Sequence, residues 1–295
     1  MAVYVLLDVG GTTIKGGITD EQGHMLGTME EFPSMAHMDK EVILDHFLSV
    51  IHTLWEKGQG EQLAGIGMAF PGPFDFQKGI SFMKGLDKYD SIYGVEIPDA
   101  LKKRDQRLKD VKFLFLHDVE AFAVGTCGMG KAAGYEKVFC LCIGTGTGSA
   151  FVENKVVLKQ KSHHIPENGW IYCLPFRDSV IDDYISVRGL RKLSEQILGR
   201  GFNGKELFSL CRQGNLQAQK VYELFGDDLE NAMNPFLDAF CPTALVMGGQ
   251  ISKSWEYFGK KLGNACENRN IRIIMEENTS LRAMQGLFIT MGKGK

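Results

Sequence analysis

From Val3 to Leu7 the chain is apolar and largely β-branched, and a second short run from about Ile14 to Ile18 follows a turn of small residues. Strand, tight turn, strand is the predicted layout, with the polar Thr19-Asp20-Glu21-Gln22-Gly23 stretch as the next turn. Residues 39–57 then set Ile43, Phe47, Ile51 and Leu54 at helical spacing, with Asp39 as the predicted N-cap. Residues 63–72 and 111–118 read as buried strands, the first ended by Pro71-Gly72 and the second by His117-Asp118. Residues 119–134 read as a helix in spite of their glycines. Strands separated by helices predict α/β layers around a largely parallel sheet. Ligands of such sheets gather at the carboxyl ends of strands, where the Asp8, Pro71-Gly72, Asp118 and Gly144 turns fall.

The first pattern recurs. Gly144, Thr145, Gly146 and Thr147 follow an apolar strand as Gly10, Gly11, Thr12 and Thr13 do, at an offset of 134 (144 − 10), and the same offset carries Ile18 to Val152 and Asp20 to Asn154. Two related halves are implied. The C-terminal half is more helical, with long apolar periodicity over residues 178–198 and 215–240, then a strand, glycine turn and helix start over 243–252. Residues 278–295 predict a last helix with a frayed basic tail. The expected division is a small N-terminal domain, 1–117, completed by 278–295, and a large domain, 118–277.

At 295 residues and 32.8 kDa the chain exceeds the usual single-core size, which also favours two lobes. A net charge of −3, from 33 Lys+Arg against 36 Asp+Glu, argues against a nucleic-acid surface. With no signal-peptide pattern and no apolar run of membrane-spanning length, the expectation is a cytoplasmic protein without a membrane partner. Seven cysteines form no CxxC pair, and Cys140 and Cys142 flank Leu141 as strand residues would, so the cysteines are expected to be core thiols.

Glycine lets consecutive backbone amides approach phosphate oxygens, and threonine hydroxyls add donors. The turns at Gly10-Gly11-Thr12-Thr13 and Gly144-Thr145-Gly146-Thr147-Gly148 therefore suit a polyphosphate, and the Gly248-Gly249 pair suits a flat ring or sugar against bare backbone. Phosphates bring Mg²⁺, which needs one or two well-placed carboxylates. Asp8 fits that task; its plain alternative is an Asx-type turn residue. Asp118 ends a strand and precedes a helix, so it reads as an N-cap, as a general base for an attacking alcohol, or as both.

The stretches LLDVGGTTIKGGITDEQG, FPGPFDFQKG, HDVEAFAVG, IGTGTGSAFVENK, PENGW and ALVMGGQIS occur in an order and spacing that resembles the ROK family of sugar kinases, of the actin-like, hexokinase-like ATPase superfamily. The resemblance spans nearly the whole chain. It implies a two-lobed actin-like ATPase (ribonuclease H-like) α/β fold, each lobe a mixed β-sheet flanked by helices. It also implies ATP and Mg²⁺, with phosphorylation of a hydroxyl on a hexose or amino sugar. By the same resemblance Asp118 matches the catalytic base, and Asp8 places Mg²⁺–ATP, through water. Gly10, Gly11, Thr12, Thr13 and Lys15 match the first phosphate group, Gly144, Thr145 and Gly146 the second, and Gly248-Gly249 the adenosine side. Pro71, Gly72, Gly85, Leu86, His117, Asp118 and Glu167 match the sugar site, and a homodimer is the family expectation.

The chain departs from the family pattern in three places. Trp170 stands where many members have a zinc-binding histidine, and only the isolated Cys173 follows, so no zinc site is expected. In this it looks most like the branch with some N-acetylmannosamine kinases and β-glucoside kinases. His117 replaces an asparagine that binds a sugar hydroxyl. Lys84, Lys88 and Tyr89 crowd the segment near the substrate, either as a solvated loop or as contacts to an acidic or phosphorylated sugar. His163 and His164 read as sugar-site or surface residues. The competing functions are a catalytically silent sugar-binding regulator, against which the presence of both Asp8 and Asp118 counts, a kinase using polyphosphate as donor, a phosphatase of the same superfamily, and a kinase acting on a glycoside, acidic sugar or sugar phosphate. ROK-type repressors carry a DNA-binding segment ahead of the core, and a core beginning at Val3 is expected to leave no room for one.

Overall fold

The computed structural model describes residues 2–292. It divides into two compact units, one running to Met129 and completed by the segment from Ser280, the other spanning Gly130–Thr279.

The first unit is built on five strands, β1 (Ala2–Val9), β2 (Thr13–Thr19), β3 (Glu30–Pro33), β4 (Gln62–Phe70) and β5 (Lys112–His117). Their order is β3-β2-β1-β4-β5; β1–β2 and β2–β3 are antiparallel, β1–β4 and β4–β5 parallel. Successive side chains of a strand face opposite sides, and β1 buries both. Val3, Val5, Leu7 and Val9 pack with Ile43, Phe47, Ile51 and Leu54 of the helix Lys40–Glu56. Leu6, on the other side, packs with Ala121, Ala283, Met284 and Leu287. These belong to the helices Asp118–Gly128 and Thr279–Gly292. Asp39 does precede the helix Lys40–Glu56, but its side chain makes no capping hydrogen bond.

The helix Asp118–Gly128 lies in the first unit, so the first boundary falls after Met129 and not at Asp118. The reason is a close helix crossing. A Cβ on Gly125 would collide with the carbonyl of Arg282, and one on Gly286 with the carbonyl of Ala121, so two glycines let the helix backbones touch.

The second unit repeats the plan with β6 (Lys137–Ile143), β7 (Thr147–Glu153), β8 (Val156–Val157), β9 (Ala244–Gly248) and β10 (Arg272–Met275), in the order β8-β7-β6-β9-β10. Its pairings are again antiparallel, antiparallel, parallel and parallel. Phe139 and Phe151 stack at 4.5 Å, and Phe240 meets Phe151 edge-on at 5.1 Å. Val221, Phe225, Leu229, Met233 and Leu237 of the helix Leu216–Phe240 complete that core at helical spacing.

The repeat holds with one correction. Val5 pairs with Ile18 and Phe139 with Phe151, so the first strands match at 134 (139 − 5) but the second strands at 133 (151 − 18). The turn in the second hairpin is one residue shorter, which moves the counterpart of Ile18 from Val152 to Phe151. Two cysteines also depart from expectation, since Cys173 and Cys241 are exposed. The basic tail expected at the C-terminus lies outside the described residues. Among the described residues no helix is long and apolar enough to cross a membrane.

Candidate active site

Strand parity decides what Asp8 meets. Two residues beyond Leu6, it lies on the β1 face covered by the helices Asp118–Gly128 and Thr279–Gly292, and it meets their first turns. The Ser280 hydroxyl bonds its carboxylate, and Asp118 is close enough to repel it. Lys15 stands directly opposite Asp8 in the β1–β2 ladder and attracts it, while its ammonium pairs with Glu31 at 3.2 Å. Burial outweighs these attractions and pushes the Asp8 carboxyl up to about 6. A carboxylate desolvated beside a second carboxylate gains from a nearby cation, so the donor set fits a magnesium ion accompanying a polyphosphate.

Asp118 is not the N-cap. His117 holds that position with extended backbone, and Asp118 is the first helical residue, its Oδ1 accepting from the Val119 N–H at 2.7 Å. The same oxygen lies 3.0 Å from His117 Nδ1. Burial works against the Asp118 charge, but the His117 charge and hydrogen bond, the Val119 N–H and the Lys88 charge together hold its carboxyl below the usual range. For His117 burial favours the neutral ring, yet Asp118, with help from Glu120, raises its pKa above the ordinary value. Asp118 keeps 41% of its side chain open to solvent, so an ionised carboxylate is accessible. On the other side of the imidazole, a Cβ on Gly72 would fall 3.8 Å from His117 Cδ2, and the Phe76 ring meets it edge-on at 5.8 Å. Pro71-Gly72, His117 and Asp118 are therefore one cluster, as the parallel pairing of β4 and β5 requires.

The first glycine turn is strapped by its surroundings. Gly10 N donates to Thr13 O at 3.0 Å, Tyr89 Oη to Gly10 O at 2.9 Å, and Ser34 Oγ to Gly11 O at 2.7 Å. Lys88 lies against Gly11. The segment 85–89 is thus not a solvated loop throughout. Tyr89 is fully buried, whereas Leu86 is exposed; Gly85 N and Leu86 N both donate to the Asp90 carboxylate. Lys84 sits over the exposed Tyr93 ring.

In the second unit Gly144 N donates to Gly146 O at 2.9 Å, closing the turn, and Val187 N donates to Gly144 O at 3.0 Å. Thr147 N donates to Asp182 Oδ1 at 2.6 Å, Thr147 Oγ1 donates to Ile185 O, and Arg188 pairs with Asp182 Oδ2. Gly249, in the left-handed region at φ +90°, presses on the backbone of Ile143, where a Cβ would collide. The Gly248-Gly249 turn and the Gly144 turn are therefore neighbours. Glu167 is exposed on a short turn anchored by Ser149 Oγ, which donates to Gly169 O at 2.5 Å. His163 and His164 are exposed, their rings edge-to-face at 5.1 Å. Among the described residues no three of His, Cys, Asp or Glu gather into a metal-holding group.

Ser280, Asp182, Arg188 and the place of Tyr89 carried no readable sequence signal. Ser280 and Asp182 are ordinary polar residues in their segments, and only tertiary packing brings them to the glycine strands.

A model of the ROK family matches residues 4–285. The chain is 24% identical over 271 residues to a glucokinase of Thermotoga maritima, covering 85% of this chain and 82% of that protein. It is 26% identical over 281 residues to an N-acetyl-D-glucosamine kinase of Haemophilus influenzae, covering 89% and 88%. A ROK hexokinase of Thermus thermophilus has the same fold, with a TM-score of 0.79 at 19% identity over 99% of this chain and 100% of that one.

Proposed function

The chain belongs to the ROK family, and on that premise we propose that it is an ATP-dependent sugar kinase in which Asp118 is the general base for a hydroxyl of a hexose or amino sugar. The observation that carries this reading is the cluster at the ends of β1 and β5: an ionised, accessible Asp118, the Asp8 carboxylate, and the Gly10–Thr13 turn, all in one unit. Asp118 accepts the proton as the sugar oxygen bonds to the γ-phosphorus of ATP, the bond from that phosphorus to its bridging oxygen breaks, and ADP leaves with the electron pair. His117 holds Asp118 ionised and, beside Gly72, is the hydroxyl contact that an asparagine provides in much of the family. Asp8 would hold magnesium through water, and the ion would supply neutralisation of charge on the polyphosphate. Glu167, Gly85 and Leu86 take the remaining sugar contacts, and Gly144–Gly146 with Gly248-Gly249 the nucleotide. Glucose and N-acetylglucosamine head the substrate panel because relatives of similar length are kinases of that name. The same reading expects a cytoplasmic protein and a homodimer, the latter tested by light scattering on the purified chain.

The deciding experiment is ADP release from Mg²⁺–ATP with glucose, N-acetylglucosamine, N-acetylmannosamine, mannose, glucosamine, a β-glucoside and several sugar phosphates. One sugar is expected to raise the rate, and Asp118→Asn to lower kcat by about 1000-fold with a small change in sugar KM. Sugar-independent ADP release, or an Asp118→Asn enzyme with ordinary kcat, would sink the reading.

A further inference from the structure

Of the two lysines in the segment 84–88, one is placed against the first glycine turn. A Cβ on Gly11 would stand 3.2 Å from Lys88 Cδ and 3.8 Å from Lys88 Cβ, so the aliphatic stem lies along the turn, in space that a side chain at position 11 would contest. The backbone that carries Lys88 is pinned on its C-terminal side. Tyr89 is fully buried in the left-handed region at φ 58°, its N–H donates to Ala36 O at 2.6 Å, and its hydroxyl donates to Gly10 O at 2.9 Å. A buried residue held in that strained conformation by two hydrogen bonds fixes where its neighbour points. Lys88 is half-buried, and its charge is felt by both His117 and Asp118. It thus joins the glycine turn to the carboxylate at the end of β5. Lys84, four residues earlier, places its ammonium over the Tyr93 ring at 5.6 Å.

We propose that Lys88 is a catalytic residue whose ammonium meets the phosphoryl group as it passes from ATP to the sugar. The inference rests on the kinase reading and adds a residue to it. In phosphoryl transfer the negative charge is spread over the three equatorial oxygens of the moving group, and a preorganised cation that meets them lowers the barrier. Lys88 keeps its protons throughout; the proton released by the sugar hydroxyl goes to Asp118. With its stem laid along Gly11 and its backbone held by Tyr89, Lys88 supplies one preorganised positive charge beside the turn.

The test is steady-state kinetics of the full chain as wild type, Lys88→Met, Lys88→Arg and Lys84→Met, with the best substrate of the panel and with sugar phosphates. Lys88→Met is expected to lower kcat by about 100-fold while sugar KM moves less than about threefold. Lys88→Arg, which restores the charge, should recover to within about tenfold of wild type, and Lys84→Met should stay within about twofold. Melting curves within about 2 °C of wild type would show that the variants fold. Unchanged kcat in Lys88→Met would overturn the proposal and leave the kinase reading standing. So would a loss confined to KM for acidic or phosphorylated sugars, which would make Lys88 a substrate-anion contact. A wild-type enzyme inactive with every sugar would instead remove the kinase reading, and this inference with it.

Discussion

The two glycine turns are copies in topology and differ in the charged side chains that touch their backbone. The first has cations beside it: Lys15 across the ladder from Asp8, and Lys88 laid on Gly11. The second has an anion inside it, because the Asp182 carboxylate takes the Thr147 N–H and is itself held by Arg188. The first is fastened through its carbonyls, by Tyr89 at Gly10 and Ser34 at Gly11. The second is fastened through one carbonyl, an amide and a hydroxyl, all by the segment Asp182–Val187. A backbone motif thus sets only where amides can stand; the side chains packed around it decide how much negative charge it welcomes.

This contrast can be broken at the first turn most severely. Asp8→Asn should lower kcat/KM for Mg²⁺–ATP by about 100-fold. The same variant should melt about 3 °C higher at pH 7.5. Asp8 is an acid whose folded pKa is raised from 3.8 to about 6, so its cost to the fold is full above pH 6 and is relieved as pH falls through 6. The stability gain of Asp8→Asn should accordingly shrink toward pH 4; a gain that persists there would mean that Asp8 is not the strained group. Activity has the same origin and the opposite consequence. On the proposed reading Asp8 must be ionised to hold the cation, and wild-type kcat/KM for ATP should then fall about tenfold between pH 7 and pH 5.

At the second turn the effects should be smaller and of another kind. Asp182→Ala removes the acceptor of the Thr147 N–H and the partner of Arg188. It should raise KM for ATP about tenfold while kcat stays within about threefold, since on the proposed reading this turn positions nucleotide, and Asp118 belongs to the other unit. A large kcat loss there would erase the distinction between the turns. The smallest effect is expected of Tyr89→Phe, which frees the Gly10 carbonyl from one hydrogen bond: a melting temperature lower by about 3 °C and kcat within about fivefold, measured by calorimetry and the coupled assay.

The strands, the two hairpins and the carboxylates at strand ends were legible because they obey local rules. Alternation and apolar runs mark β1, β4 and β5, and glycine beside threonine marks the turns. The register of the second hairpin was not legible, since a turn shorter by one residue leaves the same apolar pattern on both strands. Nor was the boundary after Met129, because it follows from Gly125 and Gly286 meeting across helices distant in sequence. His117 takes the N-cap position of the helix Asp118–Gly128, which moves Asp118 one place inward without removing it from the site.

By itself the sequence determined the family, the paired α/β units, and the candidates Asp8, Asp118 and the glycine turns, each set by short-range chemistry: a carboxylate or bare backbone at the end of a strand. Only the tertiary structure decided what those groups feel. Which helices cover the Leu6 and Asp8 face of β1 brings Ser280 and Asp118 to Asp8 and raises its pKa to about 6. Which loop folds over Gly11 brings Lys88. These are contacts between distant segments, fixed by the packing of whole faces, and no periodicity along the chain encodes them.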